Sequence, residues 1–358
     1  MSNDADFLAQ AGWRPFFSQQ LTLDDFQESR PARVASVQRS SLKVLAEAGE
    51  IDVTLPQRLR PGDSGPQVTV GDWVMVGNET QQVSRVLERQ SLISRLAAGK
   101  VPFIQPIAAN IDTLFVITSC NSDFNTSRLE RYLALAHDAQ VTPVIILTKV
   151  DLCPDPQTYI TTARACVGAT AVETVNATDE SQSYKLLEPW LGRGQTVAFA
   201  GSSGVGKSTL INSLLGSRQQ ETQEIREGDS KGRHTTTVRY LFQAPCGAWL
   251  VDTPGMRELK IGAVPEGVRQ TFVEIASLST ECRFRDCSHR GEPGCAVQRA
   301  IDEGRLEARR LASFQKLSRE ARRATMPRWE LHRENRSFGQ MARAVQKRRK
   351  KERHGEQD

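Results

Sequence analysis

The 358-residue chain is 39% hydrophobic and 25% charged, with 47 Lys and Arg against 42 Asp and Glu for a net charge of +5. This is the balance of a folded protein and excludes a wholly disordered or strongly polyanionic one. No apolar run approaches the ~20 residues needed to span a bilayer, the N-terminal Met1-Ser-Asn-Asp-Ala-Asp6 lacks the regions of a secretory leader, and the seven cysteines gather three to one histidine. A cytoplasmic protein of about two to three domains, using cysteine for metal rather than disulfides, is expected.

Residues 1–30 carry Trp13, Phe16 and Phe17 among polar neighbours and read as an N-terminal arm that docks on another surface. From 31 to 105 the pattern becomes short β-like runs: Arg33–Val37, Ser41–Leu45, Ile51–Leu55, Gln67–Val70, Asp72–Val76 and Gln82–Val86. Turn signals such as Pro61-Gly-Asp63 and Gly77-Asn78 separate them. Such spacing predicts an OB-like β-barrel, a fold that often binds oligonucleotides. The interspersed Arg33, Arg39, Lys43, Arg58, Arg60, Arg85, Arg89 and Arg95 point it toward RNA.

An α/β domain is expected over 106–270. Thr113–Ser119 and Val144–Leu147 are largely apolar, as parallel strands covered on both faces require. Between them Leu129, Tyr132, Leu133 and Ala136 share one helix face, with Ser127 and Glu130 spaced as a capping box. A third apolar strand, Val197–Ala200, runs into Gly201, Ser202, Ser203, Gly204, Val205, Gly206, Lys207, Ser208 and Thr209. This is G-x-x-x-x-G-K-[ST] without mismatch, between a strand and a helix that Gly216 caps. Glycine lets the backbone turn its amides inward as an anion nest at a helix N-terminus. Lys207 adds a point charge for the β- and γ-phosphates, and the Ser208 hydroxyl suits Mg²⁺.

The strand at 144–147 continues into Thr148, Lys149, Val150 and Asp151. A carboxylate there can accept from both N1–H and N2–H₂ of guanine, a donor pair that adenine lacks, and the Lys149 stem can cover the base. The segment resembles the N-K-x-D motif of GTPases, with Thr148 for the usual Asn, so one amide contact near the base is lost or shortened. Val175-Asn176-Ala177 matches a weaker motif whose backbone reads guanine O6, and Asp252-Thr-Pro-Gly255 resembles D-x-x-G. In that motif Asp252 would hold a Mg²⁺-bound water and the Gly255 amide would sense the γ-phosphate. One of Thr235, Thr236 or Thr237 would complete the metal shell. The base readers precede the phosphate loop, the reverse of the usual order. This is a circular permutation, with 185–195 as the join between former termini. Met256 follows D-x-x-G where many GTPases place a water-orienting Gln; His234 is the candidate replacement.

Cys282, Cys287, His289 and Cys295 follow as C-x4-C-x-H-x5-C. Three thiolates and an imidazole fill a tetrahedral zinc and leave no open position, so a structural site is expected in a helical domain at 271–340. Arg283, Arg285 and Arg290 between the ligands would face phosphate, and 302–323 reads as one charged helix. A basic tail at 341–358 closes the chain.

Barrel, permuted motif order, Gly232-Arg-His-Thr-Thr236 before the D-x-x-G segment, and the cysteine–histidine cluster together resemble the RsgA family of small ribosomal subunit biogenesis GTPases, over roughly 30–325. The resemblance implies a GTPase; a monomer without membrane contacts is expected. It would bind the small ribosomal subunit and rRNA late in assembly and hydrolyse GTP to GDP and phosphate when stimulated by the subunit. It also points to His234 as catalytic. The alternative is an RNA-binding module whose conformation is set by guanine nucleotide, with incidental hydrolysis.

Overall fold

The computed structural model describes residues 2–38, 40–59, 67–97, 103–216, 239–252, 262, 264–326, 329–330 and 333. His234, Thr235, Thr236, Thr237, Gly255, Met256 and the basic tail lie outside the described residues.

Three short helices, α1 (Ser2–Gln10), α2 (Pro15–Ser18) and α3 (Leu23–Glu28), lead into β1 (Ser29–Val37), β2 (Ser41–Ala46), β3 (Gly49–Thr54), β4 (Trp73–Gly77) and β5 (Val83–Val86). Strand β1 pairs antiparallel with both β2 and β4, β2 with β3, and β4 with β5. A parallel bridge from Thr54 to Gln82 joins the ends of β3 and β5 and closes the ring. This is the OB-type order expected, filled by alternate residues such as Leu42, Val44, Val53, Val74, Val76 and Val83. Of the five or six strands expected, five form, and Gln67–Val70 is not among them; only Val70 bridges, to Ala108. The buried Asp72 carboxylate accepts the Thr69 amide at 2.7 Å and is clamped by Arg89 at 2.6 and 2.8 Å, which turns the chain there.

The arm docks within the molecule. Phe17 is buried, and Trp13 meets Trp73 of the barrel edge-on with ring centroids 4.7 Å apart. The buried Arg33 of β1 donates to the Ala11 carbonyl at 2.5 Å and to Thr196 Oγ1 at 2.7 Å, so one guanidinium ties arm and barrel to the next domain. Burial pulls that guanidinium down to about 10, still protonated at neutral pH.

A hairpin, β6 (Leu92–Ala97) and β7 (Phe103–Ala109), leads to the α/β sheet. Its elements are β8 (Thr113–Ser119), α4 (Thr126–Asp138), β9 (Thr142–Thr148), α5 (Pro156–Val167), β10 (Ala171–Thr174), α6 (Glu180–Leu187), β11 (Thr196–Gly201), α7 (Lys207–Leu215), β12 (Tyr240–Gln243) and β13 (Trp249–Asp252). The order is β10-β9-β8-β11-β13-β12, parallel except for β12, and Tyr240 of β12 pairs with Ser36 of β1, so barrel and α/β strands share one 11-stranded sheet. Every residue of β8 and of β11 is buried. Phe115, Ile117 and Phe199 face Leu210, Ile211 and Leu214 of α7, while Leu114, Val116 and Ala200 face the side covered by Leu129 and Leu133 of α4.

The capping-box reading of Ser127 and Glu130 is corrected. Asn125 caps α4, its Oδ1 accepting from the Arg128 amide at 3.0 Å, while Glu130 is fully buried against the C-terminal helices. Those helices are α8 (Pro265–Thr271), α9 (Val273–Ser279), α10 (Ala296–Asp302) and α11 (Ala308–Thr325). The single helix expected over 302–323 therefore starts later, after a turn at Gly304 with φ +71°. Helix α8 crosses α4 so closely that a Cβ on Gly267 would overlap the Ala134 carbonyl. Among the described residues, no helix is long and apolar enough to cross a membrane.

Candidate functional site

In a parallel sheet the loops that leave the carboxyl ends of the strands share one edge, where open α/β folds bind ligands. Asn176 and Ala177 follow β10, Thr148–Asp151 ends β9, Gly201–Gly206 follows β11 and Asp252 ends β13. Sheet order thus sets the candidate base-reading residues on one side, the candidate phosphate loop in the middle and the metal-binding candidate Asp252 beyond it. Chain order is permuted, but spatial order is not.

Gly201, Gly204 and Gly206 have φ of +147°, +76° and +95°, which a side chain would oppose. Gly206 caps α7, so the loop amides and the positive helix end face the same space. Lys207 Nζ donates to the carbonyl of Gly201 at 2.8 Å and to that of Ser202, folded over the mouth of the loop. Ser208 stands in the first turn of α7, and Asp252 is half-buried three strands along the edge from the β9 end, next to the phosphate-loop strand β11.

Thr148 is fully buried and its hydroxyl donates to the Val205 carbonyl at 2.6 Å. The residue in the Asn position therefore retains a polar contact, directed to the phosphate loop. A Cβ added at Gly206 would lie 3.7 Å from Thr148 Oγ1 and 3.9 Å from Ala177 Cβ, so the three motif segments converge. Lys149 adopts the left-handed region at φ +58°, a strained setting for a non-glycine residue and common where a loop is shaped for a ligand. It leaves Asp151 exposed at the edge. Asn176 turns its side chain inward, Oδ1 accepting from Thr178 N at 3.1 Å and Thr178 Oγ1 at 2.7 Å, which stiffens the loop.

Two residues of α4 that the sequence did not single out for the site also touch the phosphate loop. Arg128 donates to Ser202 Oγ and, at 3.1 Å, to Asp123. Tyr132, whose hydroxyl burial pushes up to about 12, hydrogen-bonds the Gly201 backbone. Tyr132 reads from sequence only as one residue of an apolar stripe, and Arg128 as surface charge.

In the C-terminal region, Cys282, Cys287, His289 and Cys295 bring their ligand atoms within 4.8 Å of one another. Cys282 Sγ lies 3.9 Å from Cys295 Sγ, and the His289 Nδ1 lies 3.7 and 3.5 Å from those sulfurs. A tetrahedron with metal–sulfur bonds of about 2.3 Å and metal–nitrogen bonds of about 2.0 Å has edges of about 3.8 and 3.5 Å, so the residues fit a bound metal. The tautomer follows from Ser279. Its hydroxyl proton goes to the Ile275 carbonyl at 2.6 Å, so its oxygen accepts Nε2–H of His289 at 3.0 Å. Nδ1 is then left with its lone pair toward the sulfurs. Burial lowers the His289 imidazole below its ordinary value, which keeps it neutral as a ligand must be.

Comparison with known proteins agrees with this geometry. A profile of the RsgA GTPase family matches residues 86–262. The chain is 51% identical over 313 residues to "Small ribosomal subunit biogenesis GTPase RsgA 2" of Vibrio vulnificus, covering 87% of each. It is 48% identical over 317 residues to the RsgA of Mesorhizobium japonicum, covering 87% of this chain and 89% of that one. Among solved structures it is similar to YjeQ from Thermotoga maritima, with TM-score 0.61 and 25% identity over 82% of this chain and 98% of that one. It is also similar to YloQ, described as a circularly permuted GTPase, with TM-score 0.56 and 25% identity over 84% and 97%. Permuted base and phosphate motifs on one sheet edge, the OB-type barrel and near-half identity across most of the length lead to one conclusion: the chain belongs to the RsgA GTPase family.

Proposed function

We propose that this GTPase works on the small ribosomal subunit late in its assembly, contacts rRNA, and hydrolyses GTP when the subunit orders its switch segments. The observation that carries the reading is the single strand edge that gathers Thr148, Asp151, Ala177, Gly201–Ser208 and Asp252 in a chain whose relatives are named for small-subunit biogenesis. In this reading Asp151 and the backbone at Asn176 and Ala177 read guanine. Residues 201–209 hold the phosphates, with Lys207 on the β- and γ-positions. Ser208 and, through water, Asp252 would hold Mg²⁺, which supplies neutralising charge at the phosphates. The Cys₃His cluster would hold one structural Zn²⁺. The exposed Arg283, Arg285 and Arg290 beside it and the basic residues of the barrel would meet rRNA phosphate. We further propose a cytoplasmic monomer, divided as arm 1–30, barrel 31–105, permuted GTPase domain 106–270, zinc domain 271–340 and tail 341–358.

The test is multiple-turnover GTP hydrolysis with and without purified small subunits. Met256 can neither donate a hydrogen bond nor accept strongly, so intrinsic hydrolysis should be slow and the subunit should raise it steeply. Equal rates with and without subunits would favour the RNA-binding module. His234, as a neutral imidazole able to accept from the attacking water, is the proposed positioning base. His234→Ala is expected to lower stimulated turnover by ~10²-fold or more with GTP affinity and subunit binding unchanged. Retained turnover removes His234 from catalysis; lost subunit binding makes it a docking residue.

A further inference from the structure

The α4 helix presents two adjacent stripes to two different parts of the molecule. Arg128 and Tyr132, one helical turn apart, meet the phosphate loop at Ser202 and Gly201. Ser127 and Arg131, also one turn apart, meet the C-terminal helix: Ser127 Oγ lies 3.2 Å from Ser313 Oγ, and Arg131 makes a two-pronged pair with Glu320 at 2.7 and 2.9 Å. Beside the second stripe, on the side away from the first, the buried Glu130 accepts from Arg309 and Arg310 at 2.9 Å each. The loop before α4 is built to hold the first stripe. Asn121 Oδ1 accepts from Ser119 Oγ at 2.8 Å and from the Asp123 amide at 3.0 Å, and this orders Asp123 to hold Arg128.

We propose that Arg128 is a positioning residue that locks the phosphate loop onto α4, and that α4 thereby couples nucleotide occupancy to the docking of the Cys₃His domain. The argument rests on the reading of Gly201–Ser208 as the phosphate loop. Arg128 takes part in binding through Ser202, not by touching the nucleotide. A loop that must present several amides to one anion loses affinity when its backbone is free to wander, so a charge-assisted bond at its second residue matters. Coupling is reciprocal: a nucleotide that fixes the loop fixes α4, and hence the contacts that hold α11.

The experiment measures dissociation constants for fluorescent GDP, and hydrogen exchange of Ala308–Thr325 with and without saturating GDP, in the full-length protein. Arg128→Ala and Ser202→Ala are each expected to weaken GDP about tenfold. The double variant should be no worse than either single, because both remove one bond, and Arg128→Lys should recover part of the loss. GDP should slow exchange in α11 of the parent protein and lose that effect in Arg128→Ala even at saturation. Unchanged GDP affinity in Ser202→Ala, which removes the hydroxyl that accepts from Arg128, overturns the positioning role. A retained GDP effect on α11 in Arg128→Ala overturns the coupling. Lys207→Ala serves as the separate check: if it binds GDP like the parent, the phosphate-loop reading itself fails.

Discussion

Cys287→Ala is expected to release the metal from the Cys₃His cluster and unfold the C-terminal helices while guanine nucleotide binding persists. Few apolar contacts hold the segment between Cys282 and Cys295: Arg283, Phe284, Arg285, Asp286, Ser288 and Arg290 are all exposed, and the buried groups there are ligands. His289 sits at φ +57°, a strained setting for a residue with a Cβ, and the ligand position accounts for it. Structural zinc contributes on the order of 10–16 kcal/mol to such small units, far more than these loops could gain from packing. Beyond the cluster, Cys295 caps α10, its sulfur accepting the Gln298 amide at 3.4 Å, so the same residue serves the cluster and the helix start. The sheet face under α7 has a core that does not include the cluster, whereas the α4 face shares its core with Cys295, Val297 and Leu311 of the C-terminal region. The check is elemental analysis of protein purified without chelator, with limited proteolysis and nucleotide binding of the variant. One zinc per parent chain and a protease-sensitive C-terminal region in Cys287→Ala are expected. Absence of metal from the parent, or an intact C-terminal region in the variant, would contradict the account.

Glu130→Ala should destabilise the junction between α4 and the C-terminal helices by about 3–5 kcal/mol, the range for removing one partner of a buried ion pair. Glu130 Oε1 takes Arg309 and Arg310 at 2.9 Å, while Oε2 is buried with no hydrogen-bond partner. Arg310 is 11% exposed, also pairs with Glu274 at 2.6 Å and stacks over Phe272 at 4.4 Å. Burial works against its charge, yet Glu130 and Glu274 hold the guanidinium above its ordinary value, and removing Glu130 leaves most of the burial cost with less compensation. Arg309 is 38% exposed and can turn to solvent, so Arg310 should carry most of the loss. Glu130→Gln, which keeps the shape and one acceptor, should lose less. Denaturant midpoints for the two variants read the effect. Identical midpoints for parent and Glu130→Ala would mean that the network contributes nothing net.

The legible parts of this molecule are those whose cause is local. Strands β8, β9 and β11 are apolar on both faces because helices cover both, and a run such as Thr113–Ser119 carries that fact by itself. The glycines of the phosphate loop and the close spacing of the metal ligands are local too. What escaped reading depends on partners far along the chain. Glu130 looks like the second half of a capping box, but its partners lie 179 and 180 residues away, and Asn125 does the capping instead. Gln67–Val70 has strand-like composition, yet Asp72 turns it with the help of Arg89, a pair invisible as a periodicity. Arg128 looks like any exposed arginine on a helix until Ser202, 74 residues on, is folded against it. The arm's aromatic residues announce docking but not its site, which is this molecule's own barrel.

The central claim is that a guanine site is assembled from motifs in permuted order, with Asp151 as the discriminator at the exposed end of β9. Displacement of a fluorescent GDP analogue by GTP and by ATP tests it most directly, in the parent and in Asp151→Asn. Two donors of guanine meet one carboxylate, and adenine would leave that carboxylate unpaired and partly desolvated. GTP should therefore displace at least ~100-fold better than ATP, about 2.7 kcal/mol, and Asp151→Asn should erase most of the difference. Equal displacement by ATP and GTP in the parent protein would contradict the account.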